Sequence, residues 1–319
     1  MADILNLPNC GGSTSTFNSG APLCDVIRKL PKALFLADAG VEFNATDRQS
    51  ITSLVAAMKT KTRAARGGRL YPILDLTNYE DKTKEPTRGN VGNLSVVDII
   101  ITDAVPAFSF QHRKGDLFHQ QLSKAQNANL TLFILDSAYV LYGTKNAAGN
   151  LAGYSLSEFY AELARFATAS EPSKYPFSVT LASLTEYKEN FTFLQLDSTV
   201  LNIKGNNDVT LGIVSQAANV LNVSVTSKGG TNLGTLYPAE LAAIAAWSIT
   251  NTQSGAVVAV TSVTYNATLG YYVVTSDSAA YAALTSGQKF DVNLVSAAAL
   301  SALGVDGFES KGSVQIVKP

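Results

Sequence analysis

The residues best suited to acid-base or metal chemistry are two histidines in the run Gln111-His112-Arg113-Lys114-Gly115-Asp116-Leu117-Phe118-His119. A spacing of seven would put both on one face of a helix. Gly115 interrupts the segment, however, and metal sites more often use pairs three or four apart with acidic partners. An exposed polar connector accounts for the same residues. Cys10 and Cys24 lie in a leader rich in Gly, Ser, Thr and Asn. They read as reduced thiols, with a disulfide as the alternative, and zinc would need more ligands than they supply. The chain contains no Gly-x-Ser-x-Gly elbow and no Gly-x-x-x-x-Gly-Lys-Ser/Thr loop, the signatures of a hydrolase nucleophile and a phosphate cradle. Asp75, Asp98 and Asp103 fall at strand ends; one sequence does not determine their mutual placement, and no role is assigned to them. No catalytic, cofactor-binding or metal-binding residue is assigned, no cofactor is expected, and the chain reads as a non-enzyme.

The one basic run is Lys59, Lys61, Arg63, Arg66 and Arg69. It either lines a channel for nucleic acid or meets acidic groups of a neighbour, or it is a solvated helix end favoured by the dipole there. Over the whole chain 24 basic residues balance 25 acidic ones, so no long-range field draws it to DNA or to an anionic membrane. The start Met1-Ala2-Asp3-Ile4-Leu5 lacks the pattern of a secretory signal, and no stretch of about 18 apolar residues occurs. A soluble protein made in the cytoplasm is expected, with no membrane partner.

A length of 319 residues suits two domains. Charge density drops near Asp197: positions 198–319 carry five basic and six acidic residues, and the rest precede them. The expected organisation is a polar leader over 1–25, an assembly domain over 26–197 and a second domain over 198–319. In the first domain, Asp47-Arg48-Gln49-Ser50 opens a helix with Ile51, Leu54, Val55 and Met58 on one face, stopped by a Gly67-Gly68 cap. Strands follow at 70–76 and 94–102, pairing as a hairpin. The long polar segment from Asn78 to Asn93 between them is either an arm that orders on a neighbouring subunit or a mobile surface loop. Strands at 130–135 and 139–142 lead through a turn at 145–150 to a helix. That helix is expected from Ser155-Leu156-Ser157-Glu158, which has capping-box spacing, with Leu156, Phe159, Tyr160, Leu163, Phe166 and Ala167 on its apolar face, ending before Pro172. Strands at 175–187 and 191–196 close the domain.

Beyond Asp197, segments at 209–214, 220–225, 257–265, 271–275, 290–294 and 313–317 recur with turn residues between them, the rhythm of a β-sandwich. The pair around Asn266-Ala267-Thr268-Leu269-Gly270 is its clearest hairpin. Residues 238–247 and 296–303 read as helical. The fold class is therefore mainly β with α (α+β): an antiparallel sheet or small barrel with flanking helices and a long-armed hairpin, then a β-sandwich-like, Ig-like domain.

This order of parts resembles the tail-tube proteins of bacteriophages. The likeness is one of architecture, carried by the polar leader, the long-armed hairpin at 70–102, the capped helix at 155–169, the closing strands to Leu196 and the appended Val/Thr/Ser-rich domain. It implies a structural, self-assembling virion subunit that forms stacked rings around a DNA channel. The implied partners are copies of itself, other virion proteins, and DNA passing a lumen without sequence specificity. The virion is the implied location. A major capsid, neck or other capsid-associated protein is the neighbouring reading, since capsid subunits also use long hairpins and Ig-like domains. A carbohydrate- or surface-binding module is the competitor from another class, suggested by the pairs Tyr271-Tyr272 and Phe159-Tyr160.

Overall fold

The computed structural model describes residues 27–91, 97–126 and 128–318. Cys10, Cys24 and the 1–25 leader lie outside the described residues, as do positions 94–96 of the expected 94–102 strand. The fold is mainly β with a few short helices, and the chain divides into two compact units, one ending at Ile203 and the next beginning at Lys204. The boundary thus falls after Ile203 rather than after Asp197. A 3-10 turn over Ser198–Asn202 continues the first unit, and Val200 and Ile203 are buried in its core.

The first unit contains β1 (Pro31–Asp38), β2 (Glu42–Phe43), α1 (Ile51–Thr62), β3 (Leu70–Ile73), β4 (Leu76–Asp81), β5 (Thr87–Val91), β6 (Val97–Thr102), β7 (Ala107–His112), α2 (Gly115–Ser123), β8 (Leu130–Asp136), β9 (Val140–Lys145), β10 (Leu151–Ala152), β11 (Tyr154–Ala161), β12 (Tyr175–Leu181), α3 (Leu184–Lys188) and β13 (Phe191–Gln195). Its centre is the antiparallel pair β1 and β8, both apolar on two faces. Ala33, Phe35, Phe133 and Leu135 face one core with α1, through Leu54, Val55 and Met58. Leu34, Leu36, Leu130 and Leu132 face a second core with Phe108, Phe110, Phe159 and Phe177. Full burial of each such side chain is worth roughly 1.5–3 kcal/mol, so a strand buried on both faces anchors two cores at once. Gly153 lets β11 approach: a Cβ there would lie 2.8 Å from the Leu132 backbone nitrogen.

Helix α1 has its expected start, with the Ser50 side chain accepting from Ser53 N. It stops at Thr62, before the glycines. Gly67 instead takes a positive φ of 93° in the following turn, where its N–H donates to Asp38 Oδ2 at 2.7 Å. The expected 70–76 with 94–102 hairpin does not form. β3 pairs with β1, and β6 pairs with β5. Of the polar segment at 78–93, residues 78–81 belong to β4 and 87–91 to β5 rather than to a loop, and 92–93 lie outside the described residues. Most positions of β4 are exposed, and polar residues suit a ribbon wet on both faces better than they suit a core.

The expected helix from Ser155 is strand β11. It pairs with β12 and β8, with a bulge between Leu156 and Glu158, and buries Tyr154, Phe159 and Ala161. Two neighbouring strands satisfy its backbone and bury its aromatics, which outweighs the local helical pattern. The Ser155 N–H and hydroxyl donate to Glu186 rather than capping a helix. A second Ser-x-x-Glu does cap: the Ser183 side chain accepts from Glu186 N at the start of α3, inside the expected 175–187 strand.

The second unit contains β14 (Asn207–Ala217), β15 (Val220–Ser227), β16 (Trp247–Asn251), β17 (Val257–Val258), β18 (Val260–Asn266), β19 (Tyr271–Ser276), α4 (Ser278–Ala282), β20 (Lys289–Leu294), α5 (Ala297–Ala302), β21 (Phe308–Ser310) and β22 (Val314–Val317). A five-stranded sheet in the order β18-β19-β15-β14-β21 and a four-stranded one in the order β17-β16-β20-β22 share one core. Leu211, Val223 and Tyr272 come from the first sheet; Trp247, Val292 and Ile316 come from the second. This is a sandwich. The 266–270 turn joins β18 to β19, and α5 occupies the 296–303 segment with Ser296 as its cap. The 238–247 segment is not a helix: only a 3-10 turn over Ile244–Ala246 forms before Trp247 opens β16.

Candidate functional site

Two β-hairpin arms leave opposite ends of one stretch of sheet. In the order β11-β12-β7-β4, Ala107 of β7 lies opposite Thr180 of β12, and His112 lies opposite both Tyr175 and Leu76. The first arm leaves at the Ala107 end. Its strands continue β4 and β7 through Lys82 N donating to Ala107 O and a bridge between Lys84 and Val105 into β5 and β6. From Asp81 to Val91 it runs about 33 Å at about 3.3 Å per residue. Ile100 and Val105 are exposed large apolar residues on it.

The second arm leaves at the Tyr175 end, between β11 and β12. Its rungs are Glu162 N to Pro176 O at 3.1 Å, Arg165 N to Lys174 O at 2.9 Å, and Thr168 N to Glu171 O at 2.8 Å. A Lys174–Glu171 ion pair of 2.7 Å lies near its tip. Leu163 is 84% exposed and Phe166 97%. Leaving two such side chains in water forgoes several kcal/mol of burial, and apolar groups clustered on a projecting element mark contact surfaces.

The histidines stand at the base of this second arm, buried and not in an exposed connector. His112 ends the alternation Phe108, Phe110, His112 on the inward face of β7, and His119 lies on the buried face of α2. Gly115, with φ 77°, turns the chain between them. Lys114 N donates to His112 Nδ1 at 3.1 Å, so that nitrogen carries no hydrogen and Nε2 does. His112 Nε2 then donates to His119 Nδ1 at 3.1 Å, and His119 Nε2 donates to Glu162 O at 2.6 Å. The chain of bonds is directional and neutral, and it ties α2 to the first rung of the arm. Burial, then His119, then Lys114 lower the His112 pKa to about 4. Tyr175 stacks on the His112 ring at 5.4 Å.

The chain matches no protein-family model and no curated protein sequence.

The remaining expected positions do not gather into a site. Arg63 and Arg69 of the basic run are buried, with Arg63 Nη1 donating to Thr62 Oγ1 at 2.6 Å and Arg69 Nε to Ala64 O at 2.7 Å. They hold the turn after α1 rather than joining Lys59, Lys61 and Arg66 on one face. Each aromatic pair splits by strand alternation: Tyr272 and Phe159 are buried, Tyr160 is exposed and Tyr271 is half-buried. Among the described residues no three His, Cys, Asp or Glu side chains form a group able to hold a metal ion. The elements that the sequence-based expectations lack include β1, β7, α2 and the second arm. The run from Ala33 to Ala37 and the alternation from Phe108 to His112 were the sequence signals for the two strands.

Proposed function

We propose that this protein is a structural subunit that acts by assembling with copies of itself, without catalytic turnover, as a tail-tube-like component of a virus particle. The observation that carries the reading is the pair of arms leaving opposite ends of one sheet, the second presenting Leu163 and Phe166 almost fully to solvent. Projections at two ends suit heterologous contacts, in which one surface of a subunit meets a different surface of the next. Such contacts generate rings or open stacks. DNA passing a lumen would need no base-reading surface, in keeping with the near-neutral charge.

The test is electron microscopy and sedimentation of the purified full-length chain. Rings or tubes are the expected result, closed shells would move the reading to a capsid subunit, and a monomer at all concentrations would overturn it. Replacing 83–104 by a short turn is expected to leave both units folded and to abolish assembly.

A further inference from the structure

Apart from the arms, the first unit holds a cavity of about 560 Å³, within the range of small-molecule sites. Tyr79, Phe108, Tyr142, Tyr154 and Tyr187 line it, with Arg28 at its edge. The Arg28 guanidinium already occupies the cation position against these rings, 4.4 Å from the Tyr187 centroid and 5.7 Å from that of Tyr142. A second cation is therefore not what the rings lack.

The polar groups divide sharply. Asp136 is saturated: Oδ1 accepts from Ala138 N and Val140 N at 2.8 and 2.9 Å, and Oδ2 accepts from Tyr142 Oη and Lys29 N at 3.1 and 3.3 Å. Among the described residues the Tyr154 hydroxyl has no hydrogen-bond partner, although Tyr154 is only 1% exposed. Burial raises its pKa, so it stays an O–H donor. A buried donor left unmet costs about 1–3 kcal/mol, and it stands beside a guanidinium in an aromatic wall.

We propose that this cavity binds a small aromatic carboxylate, its ring system against Phe108 and the tyrosines and its carboxylate accepting from Tyr154 Oη and Arg28. An anionic acceptor suits both the Tyr154 hydroxyl and the guanidinium, which also bonds Tyr187, and the rest of the lining is mainly aromatic and aliphatic, with Lys29, Ser137 and the saturated Asp136 as its polar members. The site does not depend on the assembly reading.

The probe is 2-naphthoate, titrated by calorimetry into the full-length protein. One probe per chain is expected. Tyr154→Phe is expected to weaken it roughly tenfold or more, the usual worth of a hydrogen bond to a charged group, while leaving the thermal midpoint without probe unchanged or raised. Arg28→Gln should weaken it similarly, and neutral 2-naphthamide should bind less tightly than the acid. Equal binding by wild type and Tyr154→Phe would overturn the proposal, the hydroxyl then being served by water alone. So would the lack of saturable binding up to about 1 mM.

Discussion

His112 and His119 illustrate how a residue's chemistry follows from its surroundings. The same imidazoles that suggest a metal pair or a polar connector become a neutral relay once β7 and α2 turn both rings inward. Protonating His112 would place a proton on Nδ1 against the Lys114 N–H, beside the Lys114 charge. The unfolded chain takes up that proton near its ordinary value of 6.5, the folded one only near about 4. Between those values acid favours unfolding, so the contribution is complete above about pH 6.5 and lost as pH falls toward about 4. Urea unfolding across pH 3.5–7.5 should show this slope in the wild type, reduced in His112→Phe. His119→Ala leaves the His112 Nε2–H and the Glu162 carbonyl unpaired, and should cost about 1–3 kcal/mol. An unchanged urea midpoint for His119→Ala would mean that the relay does not hold the arm.

At the level of elements, the arms are ladders of backbone hydrogen bonds, not slack loops. A two-stranded ribbon is only marginally stable by itself, so each is held at its base by the sheet it extends. The second has the histidine relay as well. Phe166 is 97% exposed and Leu163 84%, so polar replacements there remove nothing from a core. Phe166→Ser and Leu163→Ser should change the unfolding free energy by no more than about 0.5 kcal/mol and weaken self-association measured by sedimentation. Normal association by the double variant would exclude this arm as a contact. The segment at 155–169 shows why the arm was hidden: its apolar residues fit both a helical stripe and a bulged strand that runs into an exposed hairpin. Local spacing does not choose between these. The partners that do choose, Leu132 and Val179, lie elsewhere in the chain.

For the whole molecule, each unit has its own core: the first gathers around β1 and β8, the second around Trp247 and Tyr272. Limited proteolysis is therefore expected to cut near Lys204–Asn207 and to leave a folded fragment beginning there. Cutting after Asp197 would remove Val200 and Ile203 from the first core and should destabilise that unit. Loss of structure in both fragments after cleavage at 203/204 would show that they share more than a linker. The change in composition at 197 marks a change of plan along the chain, whereas the boundary itself lies where the last buried side chain of the first unit ends.

Features that depend on neighbours a few residues away are legible in the order of the amino acids. Ser50 and Ser296 start their helices, Asn266 to Gly270 turns a hairpin, and the valine-rich runs after 207 are strands of a sandwich. Periodicity, caps and turn chemistry are local, and they survive in any tertiary setting that does not overrule them. Tertiary structure alone decided that Ser155 enters a strand, that β3 leaves β6 for β1, that Arg63 and Arg69 turn inward, and that two histidines share a proton-ordered chain. These outcomes rest on pairings such as Phe35 with Phe133 and His112 with Tyr175. Such partners are remote in the chain, and the gain from burying both together exceeds the differences in local propensity that a sequence displays.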